Sequence, residues 1–294
     1  MTPRVPVLVP GPGDGQVEIL VTGRGEPSSL FVHGLAGSIA TTRPYAGAVR
    51  GRRTFMHLAG HGRTSPMLRP GGAGPPASDW SYAALAAQVR AVADREEVAA
   101  TRALGISMGA GALCAVVADE PDRFDRLVLV LPAALDSPRD DTAARRFATL
   151  GHLVDQGDVA GVSAHLLAEQ PASARARPDV QTWCDQQARQ LMTSVAAGAL
   201  RTVPHEVPLT DRSRLRAVDV PVLVIAQEGD PTHPVRTARE LAQVLPTATL
   251  EVLPAGGIIW EHRARVRALV GQFLSPSPTS AVPSLGVPHG GPDG

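Results

Sequence analysis

The chain has 294 residues, 44% of them hydrophobic, which suits one large α/β domain with an insertion or two small domains. Arg and Lys together number 28 and balance 28 acidic residues, so no net charge favours nucleic acid or an anionic membrane, and a small-molecule substrate is the expected partner. Every basic residue among the 28 is Arg, excluding a lysine nucleophile, a Schiff base and a P-loop lysine, and two cysteines, Cys114 and Cys184, are too few for a disulfide framework or a Cys-rich zinc site. No run reaches about 18 apolar residues, and residues 1–15 are broken by Pro and Gly, so neither a membrane span nor a signal peptide is expected and the location is read as cytoplasmic.

In chain order, residues 17–22 alternate as a strand does, and 29–33 form a short apolar run ending at Gly34. The flexible stretch His33-Gly34-Leu35-Ala36-Gly37-Ser38 follows, at the strand end where open parallel sheets bind ligands. A helix opened near Pro44 covers 43–49, and a strand 54–58 leads into Gly60-His61-Gly62-Arg63-Thr64. Residues 65–78 are rich in Pro and Gly and read as a surface loop. From Asp79, a candidate N-cap, Leu85, Val89 and Val92 recur at helical spacing. A strand 99–105, a helix from Ser107 to about Asp119 and a dense apolar strand 126–131 complete an alternation that implies parallel pairing with right-handed crossovers.

Between 137 and 215 strand-like runs vanish, and helical segments at 143–155, 159–169 and 181–200 take over. An all-helical insertion between two strands reads as a cap over the ligand edge. The alternation resumes with a strand 220–226 ending in Gly229-Asp230-Pro231-Thr232-His233-Pro234, a helix entered at Pro234, a strand 249–253 and a helix 261–274. The remainder, rich in Pro, Ser and Gly, reads as a disordered tail.

The chemical signal is Gly105-Ile106-Ser107-Met108-Gly109 between a strand and a helix. A sharp turn there forces Ser107 outward as a nucleophile and puts the Met108 N–H at a helix N-terminus, where it can donate to a developing oxyanion. A serine hydroxyl needs a base within hydrogen-bond reach, and the base needs a carboxylate to fix its tautomer. Asp230, after a glycine at a strand end, can supply that carboxylate. Gly11-Pro12-Gly13-Asp14-Gly15 has no strand before it and no helix after it, so a dinucleotide-binding reading fails. His33, His57 and His61 are read as structural.

In this order and on these elements, His33-Gly34, the 60–64 turn, the Ser107 elbow and Gly229-Asp230 make the chain resemble the α/β-hydrolase fold family over residues 16–275. The resemblance implies a mostly parallel sheet flanked by helices, with residues 1–136 and 216–275 as the two parts of the core, 137–215 as a helical cap and 276–294 as a tail. It implies Ser107 as nucleophile, the Leu35 and Met108 amides as oxyanion hole, Asp230 as the orienting acid, and no metal or organic cofactor. The sequence departs from the family at the base, because the histidine slot after the last strand falls on Gly256 or Gly257. His262, at the start of the final helix, is the expected replacement, with His233 as the alternative. The expected activity is hydrolysis of an ester, thioester or similar small acyl compound; the competing expectation is a degenerate relative that binds a small molecule or catalyses a non-hydrolytic reaction.

Overall fold

The computed structural model describes residues 5–68, 79–139, 141–192 and 198–275. Eight strands form one sheet in the order β1-β2-β4-β3-β5-β6-β7-β8. The strands are β1 (Val7–Pro10), β2 (Gln16–Thr22), β3 (Ser28–Val32), β4 (Arg52–Met56), β5 (Arg102–Ile106), β6 (Arg126–Val130), β7 (Val222–Gln227) and β8 (Ala248–Leu253). From β4 to β8 every neighbouring pair is parallel, while β1–β2 and β2–β4 are antiparallel. Strands β3, β5, β6 and β7 are buried on both faces and therefore read as apolar runs rather than alternations.

The helices are α1 (Ile39–Thr42), α2 (Tyr82–Ala93), α3 (Met108–Asp119), α4 (Asp141–Asp155), α5 (Val159–Ala168), α6 (Pro178–Met192), α7 (Ala199–Thr202), α8 (Val235–Val244) and α9 (Arg263–Leu274). Two apolar clusters sandwich the sheet. On one face Leu85, Val89, Leu113 and Val117 meet Val32, Leu129 and Val224; on the other, Val266 and Val270 meet Phe31, Leu104 and Val128. Smaller clusters lie within the 137–215 stretch: Leu150, Val162, Ala188 and Leu191 in one, and Ala174, Val180 and Cys184 in another. That stretch contains α4 to α7 and no strand among its described residues. No described helix is long and apolar enough to cross a membrane.

Several expectations shift in detail. Strand β1 has no sequence signal because prolines flank its short apolar run, and it pairs antiparallel at the sheet edge. Ser81 rather than Asp79 caps α2, its hydroxyl accepting from the Ala84 amide, while Asp79 accepts from the Ser81 amide. The segment 43–48 is a 3₁₀ turn, opened by Pro44. The expected helix 181–200 ends as α6 at Met192, before residues 193–197, which lie outside the described set. Most of the expected surface loop at 65–78 and the tail from 276 also lie outside it.

Candidate functional site

The sheet delivers three loops to one edge. Strand β5 ends at Ile106, and Ser107 turns into α3 with φ 52 and ψ −109, a conformation L-residues avoid. The turn is held by the Ser107 amide donating to Val130 O at 2.9 Å and the Gly111 amide donating to Ser107 O at 3.0 Å. Both flanking glycines are sterically required. A Cβ at Gly105 would lie 2.4 Å from Gly109 O, and one at Gly109 would lie 2.5 Å from Val32 O.

The second loop follows β7. Asp230 Oδ1 accepts from the Thr232 amide at 2.8 Å and the His233 amide at 3.0 Å, closing a tight turn. That closure carries the side chain three residues on back over the carboxylate, so His233 Nδ1–H donates to Asp230 Oδ2 at 2.9 Å. Its other nitrogen, Nε2, accepts from the Ser107 hydroxyl at 2.8 Å. Serine, imidazole and carboxylate thus form one continuous hydrogen-bonded chain. Burial works to raise the Asp230 pKa, but the His233 ring and the two amides outweigh it and hold the carboxyl below its ordinary value.

His262, the residue expected from the sequence to serve as base, is turned elsewhere. Its Nε2–H donates to Pro254 O at 2.8 Å, and the residue does not line the cavity around Ser107. The physical reason is the turn of π-helix from Gly257 to Glu261, which places His262 at the head of α9 on the carbonyls of the preceding loop. The structure brings Ser107 and Asp230 together, through His233 rather than His262. The Asp-Pro-Thr-His-Pro spacing carried the signal: a turn closed by an Asp side chain on the amides two and three residues ahead superimposes positions i and i+3.

The third loop, 33–38, follows β3. It lies tight on the elbow, a Cβ at Gly34 falling 3.3 Å from the Ser107 Cβ. Leu35 lines the cavity over Ser107, and Met108 is the first residue of α3, directly after the elbow. Two buried histidines fasten this loop. His33 Nδ1–H donates to Gly34 O at 2.7 Å while its Nε2 accepts from the Leu58 amide at 3.0 Å. His57 Nε2 accepts from the Ile39 amide at 3.0 Å, and its Nδ1–H donates to Glu18 Oε2 at 2.9 Å. Burial lowers the pKa of both rings, strongly for His33, which keeps each Nε2 an acceptor. Burial favours the neutral form of Glu18, yet Arg63 and His57 outweigh it and lower its pKa. The role of Glu18 is invisible in the sequence because nothing local to β2 points to it.

A cavity of about 390 Å³ opens over Ser107 and His233, walled by apolar side chains such as Leu35, Phe147, Leu166, Leu191 and Trp260. Trp183 and Trp260 meet edge to face beside it, ring centroids 5.6 Å apart. Among the described residues no group of three or more His, Cys, Asp or Glu is arranged to hold a metal ion.

Comparison with known proteins agrees with this architecture. A family model for the alpha/beta hydrolase fold matches residues 30–259. A protein of Variovorax paradoxus provisionally named carbamate hydrolase RutD is 29% identical over 261 residues, covering 85% of this chain and 87% of its own. Among solved structures, carboxylesterase CesB from Bacillus subtilis superposes with a TM-score of 0.74 at 19% identity, covering 93% of this chain and 92% of its own. An esterase from Exiguobacterium antarcticum gives 0.73 at 16%, covering 92% and 99%. At such identities the structural matches speak for the fold alone.

Proposed function

The chain belongs to the α/β-hydrolase fold family, and on that premise we propose that it is a serine hydrolase of ester, thioester or related small acyl substrates. Ser107 is the nucleophile, His233 the general base and Asp230 the acid that orients it. The observation that carries this reading is the unbroken hydrogen-bond chain from Ser107 Oγ through His233 to Asp230. With Nδ1–H committed to the carboxylate, the Nε2 lone pair faces the hydroxyl, the tautomer a general base needs.

In the first step Ser107 Oγ attacks the substrate carbonyl as its proton passes to His233 Nε2. The resulting oxyanion is met by the Leu35 and Met108 amides, the latter at the N-terminus of α3. The bond to the leaving group then breaks, His233 returns its proton to that group, and a water activated by the same imidazole releases the acid. This sequence calls for no metal or organic cofactor. A relative provisionally named for carbamate hydrolysis falls within the same acyl-transfer chemistry. The reading as a degenerate binder rests on the missing histidine at Gly256 or Gly257; an imidazole supplied from the preceding turn supports hydrolysis instead.

A fluorophosphonate probe followed by peptide mass spectrometry tests the assignment. The adduct is expected on Ser107 and absent in Ser107→Ala, whereas an unlabelled wild type would overturn the hydrolase reading.

A further inference from the structure

A single turn, residues 230–233, carries both the acid and the base of the triad, so whatever fixes that turn fixes both. It leaves β7 through Gly229 at φ 73, a conformation glycine adopts without penalty, so the strand does not by itself lock the turn over Ser107. Thr232 lies inside it. The Thr232 amide donates to Asp230 Oδ1 at 2.8 Å, while the hydroxyl of the same residue donates to Glu169 Oε2 at 3.4 Å. Glu169 belongs to the 137–215 stretch, as the residue that ends α5.

The Glu169 carboxylate is itself held. Arg146 on α4 reaches both of its oxygens at 3.2 Å, and His165, four residues earlier on α5, lies 4.0 Å from Oε1. The side chains of Glu169 and Arg146 are only 23% and 34% exposed, so water screens this pair less than it would one at the open surface. The next residue crosses to the other active-site turn: Gln170 Oε1 accepts from Trp260 Nε1–H at 2.9 Å, and Trp260 walls the cavity over Ser107. Two consecutive residues after α5 thus grip the turn after β7 and the π-helical turn before α9.

We propose that Glu169 is a positioning residue for hydrolysis: fastened by Arg146, it holds Thr232, and through it the Asp230–His233 turn, in register with Ser107. The proposal rests on the triad reading above. It gives the helical stretch a part in assembling the acid–base pair, besides walling the substrate cavity. Glu169 acts through Thr232 and touches no reacting atom. A turn free to drift by about 1 Å would break the 2.8 Å contact between His233 Nε2 and the Ser107 hydroxyl, and misplacement on that scale is costly to catalysis.

The test is a set of variants assayed on p-nitrophenyl butyrate. Thr232→Val keeps the amide that closes the turn and removes the hydroxyl, whereas Thr232→Ser keeps both. Thr232→Val is expected to lower kcat roughly tenfold with KM within about twofold of the wild type, and Thr232→Ser to restore kcat to within about twofold. Glu169→Ala should reproduce the Thr232→Val loss, and it serves should Thr232→Val fail to fold. The double variant should lose no more than either single one, since both remove the same contact. The rate of Ser107 phosphonylation should fall in parallel with kcat. Wild-type kcat in Thr232→Val and Glu169→Ala, a loss confined to KM, a Thr232→Ser enzyme as slow as Thr232→Val, or losses that multiply in the double variant would overturn the positioning role. With the wild type labelled on Ser107, each of these results leaves the hydrolase reading standing; an unlabelled wild type would overturn both.

Discussion

Asp230→Asn separates two jobs that one carboxylate performs. Oδ1 holds the turn through the Thr232 and His233 amides, and Oδ2 fixes the imidazole through Nδ1. An asparagine keeps the first: its carbonyl oxygen still accepts both amides, so the turn survives and stability should change by only about 1 kcal/mol. It inverts the second. The amide nitrogen now faces Nδ1 as a donor, the ring responds by carrying its proton on Nε2, and Nε2 confronts the Ser107 hydroxyl as a donor rather than an acceptor. The expected loss in kcat is about 10⁴-fold, or about 5 kcal/mol of transition-state stabilisation. Asp230→Ala loses the turn acceptors as well, and should cost a further 1–2 kcal/mol in stability, on the order of 1 kcal/mol per hydrogen bond. Ester hydrolysis measured beside thermal unfolding reads both quantities. An Asn variant within tenfold of wild type would refute the tautomer argument; one as destabilised as the Ala variant would refute the turn argument.

Placing histidine at Gly256, where the family pattern expects one, should lower rather than raise esterase turnover. The residue has φ 143, its Cβ would fall 2.4 Å from Glu261 Oε2, and an increase in turnover would contradict the assignment of His233 as base. His61, facing His33 and His57, is buried, with its pKa lowered to about 4 chiefly by desolvation. Because the unfolded chain takes up this proton first, stability should be full above about pH 6.5 and fall as pH drops toward 4. A drop from 6.5 to about 4, at about 1.4 kcal/mol per pH unit, gives about 3 kcal/mol, seen as a shift in the denaturation midpoint that His61→Gln removes. Glu18→Ala should cost about 2–4 kcal/mol by stripping partners from His57 and Arg63, and should lower kcat more than it raises KM, because the loop it fastens carries the Leu35 amide. Unchanged kcat in a destabilised variant would separate this clamp from catalysis.

Much of the architecture was legible because buried parallel strands and the elbow leave local marks: apolar runs at β3, β5, β6 and β7, and glycines on either side of Ser107. Asp230 was legible for the same reason, standing after a glycine at a strand end. Strand β1 was not, since a four-residue edge strand between prolines has no periodicity to read and exists through pairing with β2. The exchange of His262 for His233 has a similar cause. Which of the two histidines meets a serine far away in the chain depends on how one turn closes and how the π-helical turn before α9 winds, and only folding reveals either. The clamp at Glu18 lies further still from the sequence, formed by segments that meet only in three dimensions.

The central claim is that His233 activates Ser107, and the rate of Ser107 phosphonylation in single-histidine variants tests it most directly. His233→Ala should slow labelling by at least 10³-fold while His262→Ala remains within a few-fold of wild type, as expected for loss of a general base and of a loop contact respectively. The reverse order, or equal rates in the two variants, would contradict the account.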